Sequence, residues 1–353
     1  MLSLLRRTVE GQGAEELRRP VIGIYLLLVT VNLAAWAWAL LLFRNEPVLL
    51  GTALLAYGFG LRHAVDADHI AAIDNVTRKV MQAGQRPVTV GFFFALGHST
   101  VVILTTAVVG ATATALAGSF VQLKAIGAVL GTSVSALFLF AIAAVNLVIL
   151  RAIWRTFRHV RNGGHYVEQD LDILLSSRGL LARLFRPLFR LVSRSWHMFP
   201  LGFLFGLGFD TATEVALLGI SASQAAHGVS LWSIMVFPAL FAAGMSLVDT
   251  TDGILMLGAY DWAFVKPIRK LYYNLTITSM SVVVAVLVGG LETLGLLVDE
   301  FELTGPPWDW VGALNDNLGA LGFAIIALFV AAWIGSVLVY RYKGLDDVDV
   351  RSA

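Results

Sequence analysis

The sequence predicts an all-α integral membrane protein that crosses the bilayer eight times. Of its 353 residues 58% are hydrophobic and only 14% are charged, whereas soluble domains carry about 25% charged residues. Eight mainly apolar stretches are each long enough to cross a bilayer as a helix. They cover roughly residues 21–43, 48–72, 88–111, 126–150, 198–222, 232–258, 275–298 and 318–340. We expect these eight spans to form a single transmembrane domain.

The overall composition excludes several classes of protein. The chain has 25 Lys and Arg residues against 24 Asp and Glu residues, so it lacks the excess positive charge of a nucleic-acid binder. It contains no Cys, which excludes disulfides, thiolate metal sites and a cysteine nucleophile. Any metal must therefore be held by histidine, carboxylate, amide or backbone oxygen.

The distribution of basic residues predicts the orientation in the membrane. Residues 1–20 contain four Arg but no short apolar core followed by a small-residue cleavage site, so we expect no cleaved signal peptide. With the N-terminus inside, 22 of the 25 basic residues fall on the cytoplasmic side. Only Arg44 and Lys124 fall outside, and the remaining one, Arg62, lies within a span. Because cytoplasmic loops are enriched in Lys and Arg, both termini are predicted to be cytoplasmic.

The longest predicted loop, residues 151–197, is also predicted to be cytoplasmic. It carries nine Arg among Leu and Phe residues. A basic linker that follows the positive-inside rule explains this composition. An amphipathic helix lying on the anionic inner leaflet is the alternative.

Ionisable residues inside the predicted spans carry most of the functional information. A charged side chain costs about 2.5 to 3.5 kcal/mol at the centre of a membrane helix, so the eight carboxylates and arginines in this set would cost on the order of 20 kcal/mol in lipid. They must therefore face one another, water or a bound ion. The set comprises Arg62, His63, Asp66, Asp68, His69, His98, Asp210, Glu214, Asp249, Asp252 and Glu292.

The signs of these charges indicate a cation. Seven of the eight charged residues are acidic and one is Arg, so the carboxylates either hold protons or are neutralised by a bound cation. Na⁺, Mg²⁺ and Ca²⁺ prefer oxygen ligands, whereas imidazole beside carboxylate suits Ni²⁺, Co²⁺, Zn²⁺, Mn²⁺ or Fe²⁺. Glu292, near the outer end of its span, also fits a hydrogen-bonded structural group.

The spacing in the second span leaves two arrangements open. His63, Asp66 and His69 share an arc of about 120° on a straight helix, whereas Asp68 lies about 140° from His63. Either Asp68 faces a neighbouring helix, or the segment that follows Gly60 is unwound, as transporter helices often are at a binding site.

An internal similarity predicts an inverted repeat of spans 2–4 and 5–7. At an offset of about 146 residues, Phe59-Gly60-Leu61 matches Phe205-Gly206-Leu207, and Asp68 falls on Glu214. At an offset of 147, the segment 94–99 resembles 241–246. The partner spans would cross the membrane in opposite directions, as in transporters with a site at the repeat interface. Small residues that allow close helix packing would explain the same matches.

Four motifs together resemble the nickel/cobalt transporter (NiCoT) family. The segment Arg62-His63-Ala64-Val65-Asp66-Ala67-Asp68-His69-Ile70 resembles the family's His-x4-Asp-His signature, on the second span as in that family. The others are Leu96-Gly97-His98-Ser99-Thr100, Leu207-Gly208-Phe209-Asp210-Thr211-Ala212-Thr213-Glu214 and Gly244-Met245-Ser246-Leu247-Val248-Asp249-Thr250-Thr251-Asp252. The resemblance covers nearly the whole chain.

The resemblance implies a permease that imports Ni²⁺, Co²⁺ or both across the cytoplasmic membrane. The ion would be a transported substrate rather than a prosthetic group, and the implied partners are this ion and the lipid bilayer, with no nucleic acid and no obligatory protein partner. By resemblance His63, Asp68 and His69 form the core of the site. Asp66 and His98, in the same motifs, are further candidate ligands of the ion, and further candidates for the transport site are Arg62, Asp210, Glu214, Asp249 and Asp252.

Three alternatives are weighed against import. A nickel or cobalt efflux protein is the nearest, but such exporters tend to carry a His-rich cytoplasmic loop, which residues 151–197 lack. An intramembrane metalloenzyme would also use histidine and carboxylate, but the sequence contains no His-Glu-x-x-His motif. A membrane receptor that binds metal without moving it is the third.

Overall fold

The computed structural model describes residues 14–82, 84–112, 117–161, 192–207, 212–263, 267–315 and 317–342, and the regular structure in these ranges is helical. The helices are α1 Ala14–Phe43, α2 Pro47–His63, α3 Ala67–Gln82, α4 Val90–Thr112, α5 Ala117–Arg161, α6 Met198–Gly206, α7 Ala212–Ala226, α8 Leu231–Ile234, α9 Val236–Ala263, α10 Pro267–Glu300, α11 Pro306–Asn315 and α12 Leu318–Tyr342. A 3₁₀ turn, Ser195–His197, precedes α6.

Several of these helices can cross a membrane, so the chain is a multi-pass helical membrane protein. Within the described ranges five are long and apolar enough, namely Leu17–Phe43, Val90–Ala111, Thr132–Arg155, Leu231–Gly258 and Thr278–Glu300. The bent pair of α2 and α3 makes a sixth. The predicted span 198–222 overlaps the shorter apolar helix Ala216–Ala226, and the predicted span 318–340 contains Leu321–Ala332. The number of eight stays a prediction.

The second predicted span is a bent pair of helices rather than one straight helix. Pro47, at the start of α2, is favoured there because the first helical residue needs no intrahelical N–H donor. The helix stops at His63, and α3 continues from Ala67 at an angle of 51°. The span was predicted to end near residue 72, but α3 continues to Gln82.

Tight contacts between helix backbones hold the bundle together. α9 packs along α2 and α4, α4 packs along α6, and α10 packs along α5. A side chain on Gly60 would overlap the backbone of Phe241, and one on Gly202 would overlap the backbone of Phe94. Glycine is therefore required at these two crossings, in the manner of small residues in membrane helix pairs.

The described part of the long basic loop is partly helical. α5 continues past residue 150 to Arg161, so the first residues of the predicted loop belong to this helix. Residues 162–191, where the amphipathic helix was considered, lie outside the described residues.

Candidate metal centre

Five helices converge on one buried polar site. α2 ends with His63, α3 carries His69 in its first turn, and α4 carries His98 near its middle. Glu214 comes from the first turn of α7 and Asp249 from the middle of α9. Each of these five side chains is at most 2% exposed, so they meet in the interior and not at a surface.

Three imidazoles form the centre of the site. His63, His69 and His98 each offer a ring nitrogen, and the three nitrogens lie within 4.8 Å of one another. Two nitrogens bound to one ion at about 2.1 Å are at most about 4.2 Å apart. An ion would therefore draw a pair 4.8 Å apart together by about 0.6 Å if it lay on the line between the two nitrogens, and by more at tetrahedral or octahedral ligand angles. The geometry suits three nitrogen ligands on one first-row ion.

The imidazoles of His63 and His98 face each other directly. Their Nε2 atoms are 2.9 Å apart, so one of the two must carry a hydrogen and the other must accept it. Oε1 of Glu214 lies 2.8 Å from Nε2 of His98 and 3.8 Å from Nε2 of His63. This carboxylate oxygen is therefore placed to join both nitrogens as an oxygen ligand.

A second carboxylate fixes the orientation of His69. Both oxygens of Asp249 lie 3.3 Å from Nδ1 of His69, which makes Nδ1 the hydrogen-bond donor. The other ring nitrogen, Nε2, is buried and has no hydrogen-bond partner among the described residues. A histidine whose second nitrogen is held by a carboxylate is the usual arrangement around metal ligands.

The orientation of His63 is likewise fixed by contacts to its second ring nitrogen, Nδ1. Its Nδ1 lies 3.0 Å from Oδ2 of Asp66 and 3.3 Å from Oγ1 of Thr213. Asp66 lies in the break between α2 and α3, so the break itself supplies this contact. Thr213 was not among the candidate residues, although it directly precedes Glu214 in a motif.

The other predicted residues surround the site or lie away from it. Asp68 is partly exposed, and among the described residues it makes no hydrogen bond to an imidazole. Arg62 is exposed. Glu292 is buried where α10 meets α5 and accepts a hydrogen bond from Ser135, 2.9 Å away. Asp210 lies outside the described residues.

A second polar cluster, which was not foreseen, lies further along α3. Arg78 was expected in a loop, but it lies inside α3 and is 1% exposed. It donates hydrogen bonds to Oγ1 of Thr278 at 2.7 Å and to Oδ1 of Asn75 at 3.0 Å. Asn146 donates to the same oxygen of Asn75 at 2.6 Å. The sequence signal for burial was the polar face that Asn75 and Arg78 share on α3.

Asp252 is a further carboxylate with a buried oxygen. It lies on α9, three residues after Asp249, and its Oδ2 is buried without a partner among the described residues. On α3, the buried Asp74 accepts a hydrogen bond of 2.7 Å from Ser281. Buried polar residues of α3 thus continue beyond the histidine centre, from Asp74 to Arg78.

Comparison with known proteins agrees with this chemistry. A family model described as "High-affinity nickel-transport protein" matches residues 49–339. A high-affinity nickel transport protein of Cupriavidus necator is 62% identical over 335 residues, which are 95% of each chain. The high-affinity nickel-transport protein NixA of Helicobacter pylori is 44% identical over 320 residues, 90% of this chain and 96% of NixA.

A relative named for cobalt is also similar. The cobalt transport protein NhlF of Rhodococcus rhodochrous is 40% identical over 332 residues, 92% of each chain. No solved structure shows a detectable match. The chain belongs to the NicO family of high-affinity nickel-transport proteins, a family of membrane transporters and not of enzymes, for which nickel or cobalt is the transported substrate.

Proposed function

We propose that the chain is a secondary permease that imports Ni²⁺, Co²⁺ or both through the histidine centre near the middle of the membrane. The observation that carries the proposal is the buried group of His63, His69 and His98, with Glu214 beside two of them. Nitrogen ligands with carboxylate suit nickel and cobalt better than the oxygen-preferring Mg²⁺ or Ca²⁺.

The proposed topology has eight spans with both termini in the cytoplasm, in the cytoplasmic membrane. The uneven distribution of basic residues supports this orientation. The outside loop, residues 299–317, is acidic, which suits the side from which a cation enters.

The proposed mechanism is alternating access by an inverted repeat of spans 2–4 and 5–7. Two observations support it. The second span is interrupted at residues 64–66, and in the fifth span α6 ends at Gly206 with a turn at Leu207, before the described residues resume with α7 at Ala212. Gly60 packs on Phe241, and Gly202 packs on Phe94, the residue that the repeat makes the counterpart of Phe241. The second span thus packs on the sixth, and the fifth span packs on the third, which is the pairing that the repeat predicts.

The membrane potential is sufficient to drive this uptake. Moving two positive charges inward gains about 4.6 kcal/mol per 100 mV of inside-negative potential, which corresponds to about a thousandfold accumulation. Collapse of the potential at constant pH is expected to abolish accumulation. Unchanged accumulation would contradict a potential-driven mechanism.

Uptake of radiolabelled Ni²⁺ at nanomolar concentration tests the proposal. Cells would express the wild type, His63→Ala or the control His227→Ala, which removes an exposed imidazole at the end of α7. Saturable uptake that is lost only in His63→Ala, and that Co²⁺ inhibits more strongly than Zn²⁺ or Mn²⁺, is expected. Uptake that survives His63→Ala would contradict the proposed site.

Direction of transport needs a separate measurement because an efflux protein could use the same ligands. Cells are loaded with Ni²⁺ and then transferred to metal-free medium. An importer raises the metal content during loading and does not accelerate its later loss. Faster loss from expressing cells than from cells without the protein would show export instead.

A further inference from the structure

The break between α2 and α3 leaves a buried carbonyl group without its helical partner. Val65 and Asp66 donate backbone hydrogen bonds to Arg62 and His63, and the ladder resumes when Ile70 donates to Asp66. Among the described residues no backbone hydrogen bond ends on the oxygen of Val65. Val65 is only 9% exposed, so this buried acceptor is left unsatisfied at a cost in free energy.

The backbone of α12 covers this carbonyl at Gly322. A Cβ atom built on Gly322 would lie 2.8 Å from the carbonyl carbon of Val65 and 3.3 Å from that of Asp66, and closer still to the oxygen of Val65. The Cα of Gly322 is therefore in direct contact with the oxygen, as in the Cα–H···O contacts between closely packed helices. Ile325, one turn further on α12, packs in the same apolar cluster as Val65.

We propose that Gly322 is a positioning residue for the histidine centre. Because Gly322 has no side chain, the backbone of α12 can contact the backbone of the break directly. This contact sets the angle between α2 and α3. Because His63 ends α2 and His69 lies in the first turn of α3, the angle sets the separation of these two ligands. The inference rests on the proposed function of the histidine centre.

The expected effect follows from the geometry. A methyl group at position 322 requires a shift on the order of 1 Å between α12 and the break, because backbone atoms cannot yield in the way a flexible side chain does. Metal–ligand distances in bound sites vary by only about 0.2 Å around their ideal values, so a displaced ligand must move back to bind the ion. Loss of support around metal ligands commonly lowers affinity about 10- to 100-fold.

The test is the kinetics of Ni²⁺ uptake by Gly322→Ala. We expect the KM to rise about tenfold or more, with a Vmax per folded transporter within about threefold of the wild type. A merely structural defect would lower the amount of folded transporter, and hence Vmax, without changing the KM of the remainder. The control is Gly335→Ala on the same helix, where a Cβ meets nothing within 4 Å; its KM should equal that of the wild type.

A second variant serves if Gly322→Ala does not accumulate in the membrane. Ile325→Ala removes a side chain that is 5% exposed and packs near Val65, and it adds no atom that could clash. Its KM should also rise, and the control Phe323→Ala, at a position 60% exposed, should not change it.

The outcomes separate this inference from the proposed function. If His63→Ala abolishes uptake while Gly322→Ala has a KM within twofold of the wild type, the positioning role of Gly322 is wrong and the histidine centre stands. If Gly322→Ala is absent from the membrane, an unchanged KM in Ile325→Ala overturns the inference. If His63→Ala retains uptake, the proposed role of the histidine centre is wrong, and so is this inference, which rests on it.

Discussion

Replacing Asp249 by Asn is the most informative test of how the carboxylates support the histidines. Both oxygens of Asp249 lie 3.3 Å from Nδ1 of His69. With the ion on Nε2, the ring and a metal–nitrogen bond of about 2.1 Å place the carboxylate about 7 Å from the ion. Asn keeps an oxygen that can accept the same hydrogen bond but removes the negative charge.

Two estimates bracket the effect of this substitution. Coulomb's law with an effective dielectric constant of about 20 gives about 5 kcal/mol for a dication and a carboxylate at this separation. Because the amide retains a hydrogen bond to His69, the lower limit is the 10- to 100-fold loss that is typical of such supporting residues, or about 1.4 to 2.8 kcal/mol. We expect the KM for Ni²⁺ to rise at least about tenfold.

The assay is initial-rate uptake of radiolabelled Ni²⁺ over a range of concentrations, normalised to the amount of folded protein. Glu46→Gln is the matched control, since it also replaces a carboxylate by its amide, at an exposed position before α2. A KM of Asp249→Asn within twofold of both the wild type and this control would refute the supporting role of Asp249.

Three further predictions concern binding and stability. Acidifying the outside medium from pH 7 to pH 5.5 should raise the KM for Ni²⁺, because imidazole must be deprotonated to bind metal; a KM independent of pH would argue against histidine ligands. Gly202→Ala should reduce the folded fraction in detergent, because its methyl group would overlap the backbone of Phe94, whereas Gly219→Ala adds a methyl group in open space and should not. Arg78→Lys should lower the stability by about 1 to 3 kcal/mol, measured as a lower Tm, because an ammonium group cannot replace both guanidinium hydrogen bonds; equal Tm values for this variant and the exposed control Arg155→Lys would contradict that role.

The sequence predicted that buried carboxylates and imidazoles share one polar site, but it did not predict how they are arranged. Carboxylates and imidazoles inside apolar spans predict a common polar site because each is costly alone in lipid, and the family assignment is confirmed. The choice between a straight and an interrupted second span could not be made from spacing. The structure interrupts the span at residues 64–66 and leaves Asp68 without a hydrogen bond to the histidines among the described residues.

Other features depended on helix pairing, which local patterns do not determine. Arg78 was assigned to a loop because an arginine near the end of an apolar stretch ordinarily marks the boundary of the membrane. Its burial depends on acceptors from α10, Thr278 above all, about 200 residues away in the sequence. For Glu292 the structural alternative finds support in its contact with Ser135 on α5, a partner that no spacing within α10 could indicate.

The polar character of α3 has a consequence for the biogenesis of the protein. This helix carries Asp68, Asp74, Arg78 and Lys79. It is long and apolar enough to form a membrane span only when it is counted together with α2. Hydrogen-bond partners of its polar side chains come from segments that are synthesised much later, namely Asp249 on α9 and Thr278 and Ser281 on α10. Until these segments are synthesised, the polar side chains of α3 lack these partners, and α3 cannot be stably buried in the membrane. We expect α3 to take its final place only after α10 has left the ribosome, so a chain truncated before α9 should be a substrate for membrane quality control.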